Sequence, residues 1–441
     1  MTNEVVHSRE LWQYSVLAVP IAFAGFPLYV LAPDYYATQH GVSLSLLGLL
    51  LLGLRAFDAI QDPFIGALSD RYRHASKWVM GIAAILLCAS MYGLLNTMPI
   101  HPAAWFSLCV LVAVSAYSIL SINLNTLGGL WTKNQATQTR IAALREGCGL
   151  IGLVIAVSLP ALLKPMVGEQ QSYFYFSLIL TVFMALAWSM FVLWLTKNTP
   201  KRTTTKIATN SLRASLRATS KSTRYFLGVY GLSMLASSIP AVLVIFFVRD
   251  LLGAESLTGV FLLLYFLSGA ASMPLWKILS TRYDQYRAWV AAMLLAVASF
   301  VWAFFLGSGD VWQYGMICVF SGLALGADLA LPPAILADHI HQSNAEPHAA
   351  THYSLLALAA KLSLAFASAI ALPLLGQTGF VPATQNSEAS LLFLSAAYAL
   401  IPCLLKLIAA ALTARIFIYS NQGVVHESHQ THSHFRSSNH A

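Results

Sequence analysis

Residues 62–78 read DPFIGALSDRYRHASKW, and residues 273–289 read MPLWKILSTRYDQYRAW. Aligned without gaps they share Pro63/Pro274, Leu68/Leu279, Ser69/Ser280, Arg71/Arg282, Tyr72/Tyr283 and Trp78/Trp289. Each stretch closes a long apolar run and passes into a short basic loop. Six identities at matching places in two such runs argue for a duplicated unit.

Working outward from this repeat, the chain divides into apolar runs of the length that crosses a bilayer, about 20 residues for a hydrocarbon core about 30 Å thick. They lie at 12–32, 43–67, 77–97, 103–130, 141–163 and 173–196, and again at 224–248, 257–279, 288–307, 311–336, 351–375 and 389–417. The polar stretch 197–223 separates the two sets of six. Hydrophobic residues make up 58% of the 441 and charged ones 10%, against about 25% charged in soluble domains. One water-soluble core could not hide so much apolar surface, since such cores stop growing near roughly 250–300 residues. In lipid only helices and closed barrels satisfy every backbone group, and these runs are too long and too uniformly apolar for barrel strands. The expected fold is an all-α membrane protein, with twelve transmembrane helices in two pseudo-symmetric six-helix bundles. The expected organisation is a bundle over 1–196, a basic cytoplasmic central loop over 197–223, a second bundle over 224–417 and a disordered His-rich tail over 418–441.

Charge sets the orientation. With both termini cytoplasmic, 20 of the 25 Lys and Arg residues fall in inside segments, eight of them in the central loop, and only Lys164 and Arg249 outside. That asymmetry follows the positive-inside rule. The net charge of +8 is therefore a membrane signature, with anionic lipid headgroups as neighbours, and no nucleic-acid partner is implied. Cys88, Cys109, Cys148, Cys318 and Cys403 all fall in apolar runs without paired spacing, which suits free buried thiols rather than disulfides or a metal site. The first apolar run is long enough to span and has no convincing cleavage site, so no removed signal peptide is expected.

The informative residues are ionisable groups inside spans, each costing about 2.5–3.5 kcal/mol at the centre of a bilayer on insertion scales. Arg55, Asp58 and Asp62 in the second run fall at i, i+3 and i+7, so they share one helical face. One base and two acids leave a surplus negative charge that suits Na⁺ or H⁺; the plainer alternative is a clamp between helices. Lys361 has no local acid and needs a partner across the bundle, with Asp58 or Asp62 the candidates. Asp328 follows Gly322-x-x-x-Gly326 and precedes Pro332-Pro333, a setting for close helix packing near a cavity; it either lines the pathway or pairs structurally. Arg145 and Glu146 open the fifth run and are either binding groups or ordinary interfacial charge. Asn123 and Asn125 either bond a solute or join helices. Lys406 is expected to snorkel to the last inside boundary. His339, His341, His348 and His352 cluster around one inside loop, a weak metal signal without further ligands on a fixed scaffold. No nucleophile–base pair or metal-ligand spacing marks an enzyme, and no metal site is expected.

Gly66-x-x-x-Asp70-Arg71, closing on Arg73 and Lys77, resembles the inside-loop signature of the major facilitator superfamily, whose plan is the same duplicated six-plus-six. The segment Arg55-Ala-Phe-Asp58-Ala-Ile-Gln-Asp62-Pro63-Phe-Ile-Gly66 resembles the glycoside–pentoside–hexuronide:cation symporters, the melibiose permease family. Arg145 matches that family's substrate-binding arginine and Lys361 its eleventh-span lysine. The resemblance implies that Asp58 and Asp62 bind the coupling cation, that Lys361 links cation and substrate sites, and that the substrate sits between rocking halves. Two carboxylates of the family's sugar transporters are missing: the first run reads Pro20-Ile21-Ala22-Phe23-Ala24-Gly25 and the fourth Tyr117-Ser118-Ile119-Leu120. This weakens a galactoside assignment and leaves lipids and amino acids open.

The leading expectation is a secondary active transporter in the inner membrane that couples Na⁺ or H⁺ to symport of a small solute by alternating access. It would act as a monomer, with the bilayer as its surroundings and no cofactor beyond the coupling ion. The alternatives are a proton-driven exporter on the same fold and a non-transporting membrane assembly factor or receptor.

Overall fold

The structure, a computed structural model, describes residues 6–26, 28, 31–198 and 212–419. Residues 199–211 of the basic central loop and the His-rich tail from 420 onward lie outside the described residues. Every element described is a helix. The first apolar run forms three short pieces, α1 (Ser8–Ser15), α2 (Ala18–Phe26) and α3 (Ala32–Thr38), in a stretch carrying Pro20, Pro27 and Pro33. Then follow α4 (Leu44–Arg71), α5 (Ser76–Asn96), α6 (Pro102–Leu130), α7 (Gln135–Val167) and α8 (Glu169–Lys197).

The short α9 (Leu212–Ala218) precedes α10 (Lys221–Phe246), α11 (Thr258–Tyr283), α12 (Gln285–Phe300), α13 (Val311–Gln342) and α14 (Ala349–Gln377). The last span joins α15 (Glu388–Ser395) to α16 (Ile401–Thr413) through a π-helical stretch, Ala396–Leu400. Among the described residues, ten stretches are long and apolar enough to cross a membrane. The first run and α4 are not among them: residues 27, 29 and 30 of the first lie outside the described residues, and α4 carries Arg55, Asp58 and Asp62 within its apolar length.

Capping explains where boundaries depart from hydropathy. The Asn134 carboxamide accepts from the Thr137 amide at 3.0 Å, so α7 starts six residues before its apolar run and carries a polar first turn. The Ser220 hydroxyl does the same for Thr223 at 3.1 Å, and α10 starts inside the expected central loop. In the repeated segment, Pro63 and Pro274 both sit inside helices, where neither can donate to the carbonyl four residues back.

The buried core segregates by bundle. One cluster is built wholly from residues between Val6 and Leu195, and two others from residues between Phe226 and Phe417. A small fourth cluster mixes them, with Ala143 and Leu150 from α7 meeting Met273 of α11 and Ala330 of α13. The bundles therefore meet along two seams, α4 against α14 and α7 against α11 and α13. Small residues set how close the helices come. A Cβ on Gly66 would lie 2.4 Å from Ser354 Oγ and 2.7 Å from the Ala350 carbonyl, so the α4–α14 crossing admits only glycine there. Within the second bundle, a Cβ on Gly326 would meet Ser272 Oγ at 2.0 Å, the close contact expected from the Gly322-x-x-x-Gly326 pattern.

Candidate functional site

Three helices converge on the ammonium of Lys361. Asp58 and Asp62 project from α4, Ser118 from α6, and Lys361 from α14 of the other bundle. The ammonium lies 2.7 Å from Asp58 Oδ1, 2.9 Å from Asp62 Oδ1, 2.9 Å from Ser118 Oγ and 3.3 Å from the Asp58 carbonyl. Asp62 Oδ2 is also 2.7 Å away, yet receives no aligned hydrogen bond and is fully buried. Ser118 Oγ and Gln61 Nε2 each donate to Asp58 Oδ1 at 3.2 Å. Ser115 Oγ holds Gln61 Oε1 at 2.8 Å. Lys361 is twelve residues into α14, roughly 18 Å along its axis, or about mid-depth in a 30 Å core. Such a lysine needs acids at hand, and it finds both across the seam. Arg55 lies one turn before Asp58 at an exposed position.

Arg145 lies ten residues inside α7, roughly 15 Å from its start, and is 4% exposed. It is buried in the helix packing although it lies near the start of its apolar run. Its Nη2 and Nε donate to Glu146 Oε1 at 2.7 and 3.2 Å. Asn123 donates to Ser69 of α4 at 2.9 Å and to its own helix at the Ile119 carbonyl at 2.8 Å. Asn125 donates within its helix, to the Ser121 carbonyl at 2.8 Å.

Asp328 pairs inside the second bundle. Lys406 of α16 reaches Asp328 Oδ2 at 2.5 Å, Ser233 Oγ at 2.9 Å and Ser237 Oγ at 3.0 Å. Trp289 Nε1 donates to the other carboxylate oxygen at 3.0 Å. Lys406 is 4% exposed, so the expectation that it snorkels to the boundary is corrected. Ser233 and Ser237 of α10 and Asp328 of α13 take its three protons.

The side of the chain ends is sealed by polar contacts between bundles. Asp70, at the end of α4, accepts from the first amides of α14, Ala350 N and Thr351 N, both at 2.9 Å, and from Thr351 Oγ1 at 2.7 Å. A carboxylate so placed satisfies orphan donors and meets the positive end of the helix dipole. Arg73 donates to the Glu346 carbonyl at 2.5 Å, His341 meets the Gly129 carbonyl at 2.9 Å, and Gln135 donates to Asp338 at 2.7 Å. Gln285 adds a bond to Thr139 Oγ1 at 3.0 Å. Among the described residues, the polar contacts joining the bundles lie here or at Lys361.

Residues 13–420 match the family described as MFS/sugar transport protein, a stretch that holds every residue of the site. The chain belongs to that family. This transporter is 24% identical over 447 residues to the inner membrane symporter YicJ of Escherichia coli (strain K12), covering 95% of this chain and 93% of the relative. It is likewise 24% identical over 433 residues to the glucuronide carrier protein homolog of the same organism, covering 92% of each. Among solved structures it is similar to a bacterial homologue of the iron transporter ferroportin in an outward-facing state, with 16% identity, a TM-score of 0.67, and coverage of 92% of this chain and 99% of that one. It is also similar to the Escherichia coli fucose:proton symporter, with 15% identity, a TM-score of 0.61, and coverage of 92% and 97%. These structures carry the major facilitator fold onto this transporter, a multi-pass membrane protein and not an enzyme.

The transporter's site holds residues that hydropathy does not single out. Ser118 and Gln61 are ordinary polar residues in apolar runs, and only the three-helix convergence makes them ligands of Asp58 and Lys361. Lys406 carries no sequence signal except its depth. The four histidines go to separate partners: His339 to the Tyr286 hydroxyl, His341 to Gly129, His348 to Ser215 of α9 at 2.9 Å, and His352 to the His348 carbonyl at 2.7 Å. The five cysteines are free, as expected from their spacing.

Proposed function

We propose that this transporter performs cation-coupled symport of a small solute by alternating access, with Asp58 and Asp62 as the cation-binding carboxylates and Lys361 as the group that couples them to the second bundle. The observation that carries the reading is the Lys361 ammonium, which belongs to one bundle and is held by two carboxylates of the other at 2.7 Å. In this arrangement the protein supplies its own cation. A proton or Na⁺ arriving at Asp58 and Asp62 competes with the ammonium for the same oxygens, and the buried Oδ2 of Asp62 is an acceptor still without an aligned donor. Hydrogen bonds to charged groups contribute roughly 1.5–3 kcal/mol, so loosening this bridge shifts the balance between conformers by at least about tenfold. Cation binding thereby frees the bundles to rearrange around a solute.

Arg145 is the proposed solute contact, as in the melibiose permease family, beside Glu146. The orientation follows from charge: both termini face the cytoplasm in the inner membrane, so the sealed side is the inside and this conformer faces outward. The relatives named as a symporter and the fucose:proton symporter support symport. No cofactor beyond the coupling ion is needed, and one copy of the chain holds the whole site.

Purified transporter reconstituted in vesicles, under an imposed Na⁺ or H⁺ gradient, tests this. Gradient-driven uptake is expected for one ion, and Asp58→Asn or Asp62→Asn is expected to abolish the gradient's effect. Uptake that ignores both substitutions would sink the assignment.

A further inference from the structure

The intramembrane bases Arg145, Lys361 and Lys406 each have an acid within 2.7 Å. For the two lysines the acid is as deep as the base. For Arg145 it is not: the guanidinium side chain is 4% exposed, whereas its partner Glu146 is 27% exposed. Both guanidinium bonds fall on Oε1, leaving Oε2 unbonded to Arg145. The pair sits on the α7 seam, flanked by Ala143 and Leu150, which pack on Met273 and Ala330 of the other bundle. Its neighbours on α7 thus place the pair beside the contact between the bundles. Of the two groups, the carboxylate is the more exposed.

We propose that Glu146 sets the charge selectivity of the solute site: it masks Arg145, so that the site takes an uncharged, hydroxyl-bearing solute and rejects one carrying a carboxylate. This rests on the reading of Arg145 as the solute contact. An exposed arginine is the natural fork for a solute carboxylate. Here Nε and Nη2 of that fork are already engaged by Glu146 Oε1, and Oε2 of the same carboxylate is an acceptor suited to a solute hydroxyl. A carboxylate solute would have to displace Glu146 and leave two like charges side by side. Glu146 is thus a specificity-determining residue, acting by repulsion as much as by attraction.

The test uses the full chain in detergent, with acetate as the anionic probe and acetamide as its neutral control. Thermal unfolding is followed as acetate replaces chloride at constant ionic strength. Wild type is expected to be indifferent to acetate. Glu146→Gln is expected to gain a saturable acetate-dependent rise in Tm, with half-saturation roughly tenfold or more below any wild-type response. Arg145→Gln combined with Glu146→Gln is expected to remove that rise. A wild-type rise that Arg145→Gln abolishes, or no rise in Glu146→Gln, overturns the proposal. If Glu146→Gln does not fold, Glu146→Asp, one methylene shorter, is expected to show an intermediate rise, and a flat response there overturns it equally. Gradient-driven uptake in vesicles is scored separately. Uptake without the acetate effect refutes masking and leaves symport standing, and the acetate effect without uptake does the reverse.

Discussion

Two lysines lie at depth in the second bundle, and they are held in opposite ways. Lys361 points out of its bundle, and its acids, Asp58 and Asp62, belong to the other one. Lys406 points inward, and Asp328, Ser233, Ser237 and Trp289 all come from its own bundle. If the bundles rock as rigid bodies, the Lys406 network travels intact, whereas the Lys361 bridge must strain or break. A polar group that crosses a moving seam reports on conformation; one that stays within a rigid body reports only on folding. Under the proposed symport, the difference separates charges that serve transport from those that serve architecture.

The largest expected effect breaks the comparison on the architectural side. Lys406→Ala leaves Asp328 buried without its base, and removing one member of a buried pair costs about 3–5 kcal/mol. Thermal unfolding in detergent should show a steep loss of stability. The double variant Lys406→Met with Asp328→Leu removes both charges and should recover most of it, with gradient-driven uptake retained. If the double variant is stable but cannot transport, Lys406 is not architectural and the contrast collapses. Next in size is Lys361→Met. Its side chain is 24% exposed, and Asp62 can take up a proton when the base is gone, so the stability loss should stay nearer 1.5–3 kcal/mol. Coupled uptake should nevertheless fall at least tenfold. A Lys361→Met protein that keeps full coupled uptake would place the crossing lysine with the architectural one.

Much of this contrast was legible in the chain itself, and the parts that were not have physical reasons. The repeat at Asp62–Trp78 and Met273–Trp289 gave the six-plus-six plan because duplicated helices keep loop residues at fixed topological places. Lys361 could be matched to Asp58 or Asp62 because a charge in lipid must find an opposite charge, and few were available. Lys406 has the same need, but its distance from the last inside boundary is short enough for snorkelling, so the chain alone does not point to Asp328 as its partner. Hydropathy locates the apolar segment and not the packing around it, so the burial of Arg145 near the start of its run could not be read from the chain. Even the repeat hides divergence: Trp78 is 73% exposed while Trp289 is fully buried on Asp328. An identity shared by two copies does not imply a shared environment.

A smaller crossing contact sharpens the comparison at the sealed end. Asp70→Asn keeps an oxygen toward α14 but loses the charge that three donors share, and a weakened cap costs about 0.5–2 kcal/mol. The direct readout is hydrogen exchange at Ala350 and Thr351, whose amides should exchange faster in the variant while amides deep in α13 remain unchanged. Unchanged exchange at both positions would mean that this cap does not hold the seal.

The smallest test sets two neighbouring asparagines in α6 against each other. Asn123 crosses to Ser69 of α4 at 2.9 Å, whereas Asn125 bonds only back to Ser121 in its own helix among the contacts described, at 2.8 Å. Both α4 and α6 belong to the first bundle, so neither bond spans the moving seam. Asn123→Ala should cost about 1 kcal/mol through the lost interhelical bond. Asn125→Ala should cost under about 0.5 kcal/mol, since its donor serves only a carbonyl the helix already engages. Asn125 therefore has an amide to spare for a solute, and Asn123 does not. A raised half-saturation for uptake in Asn125→Ala at unchanged Tm would extend the solute site from Arg145 along α6. The same rise in Asn123→Ala, at unchanged Tm, would show that the bond to Ser69 is made only when no solute is bound.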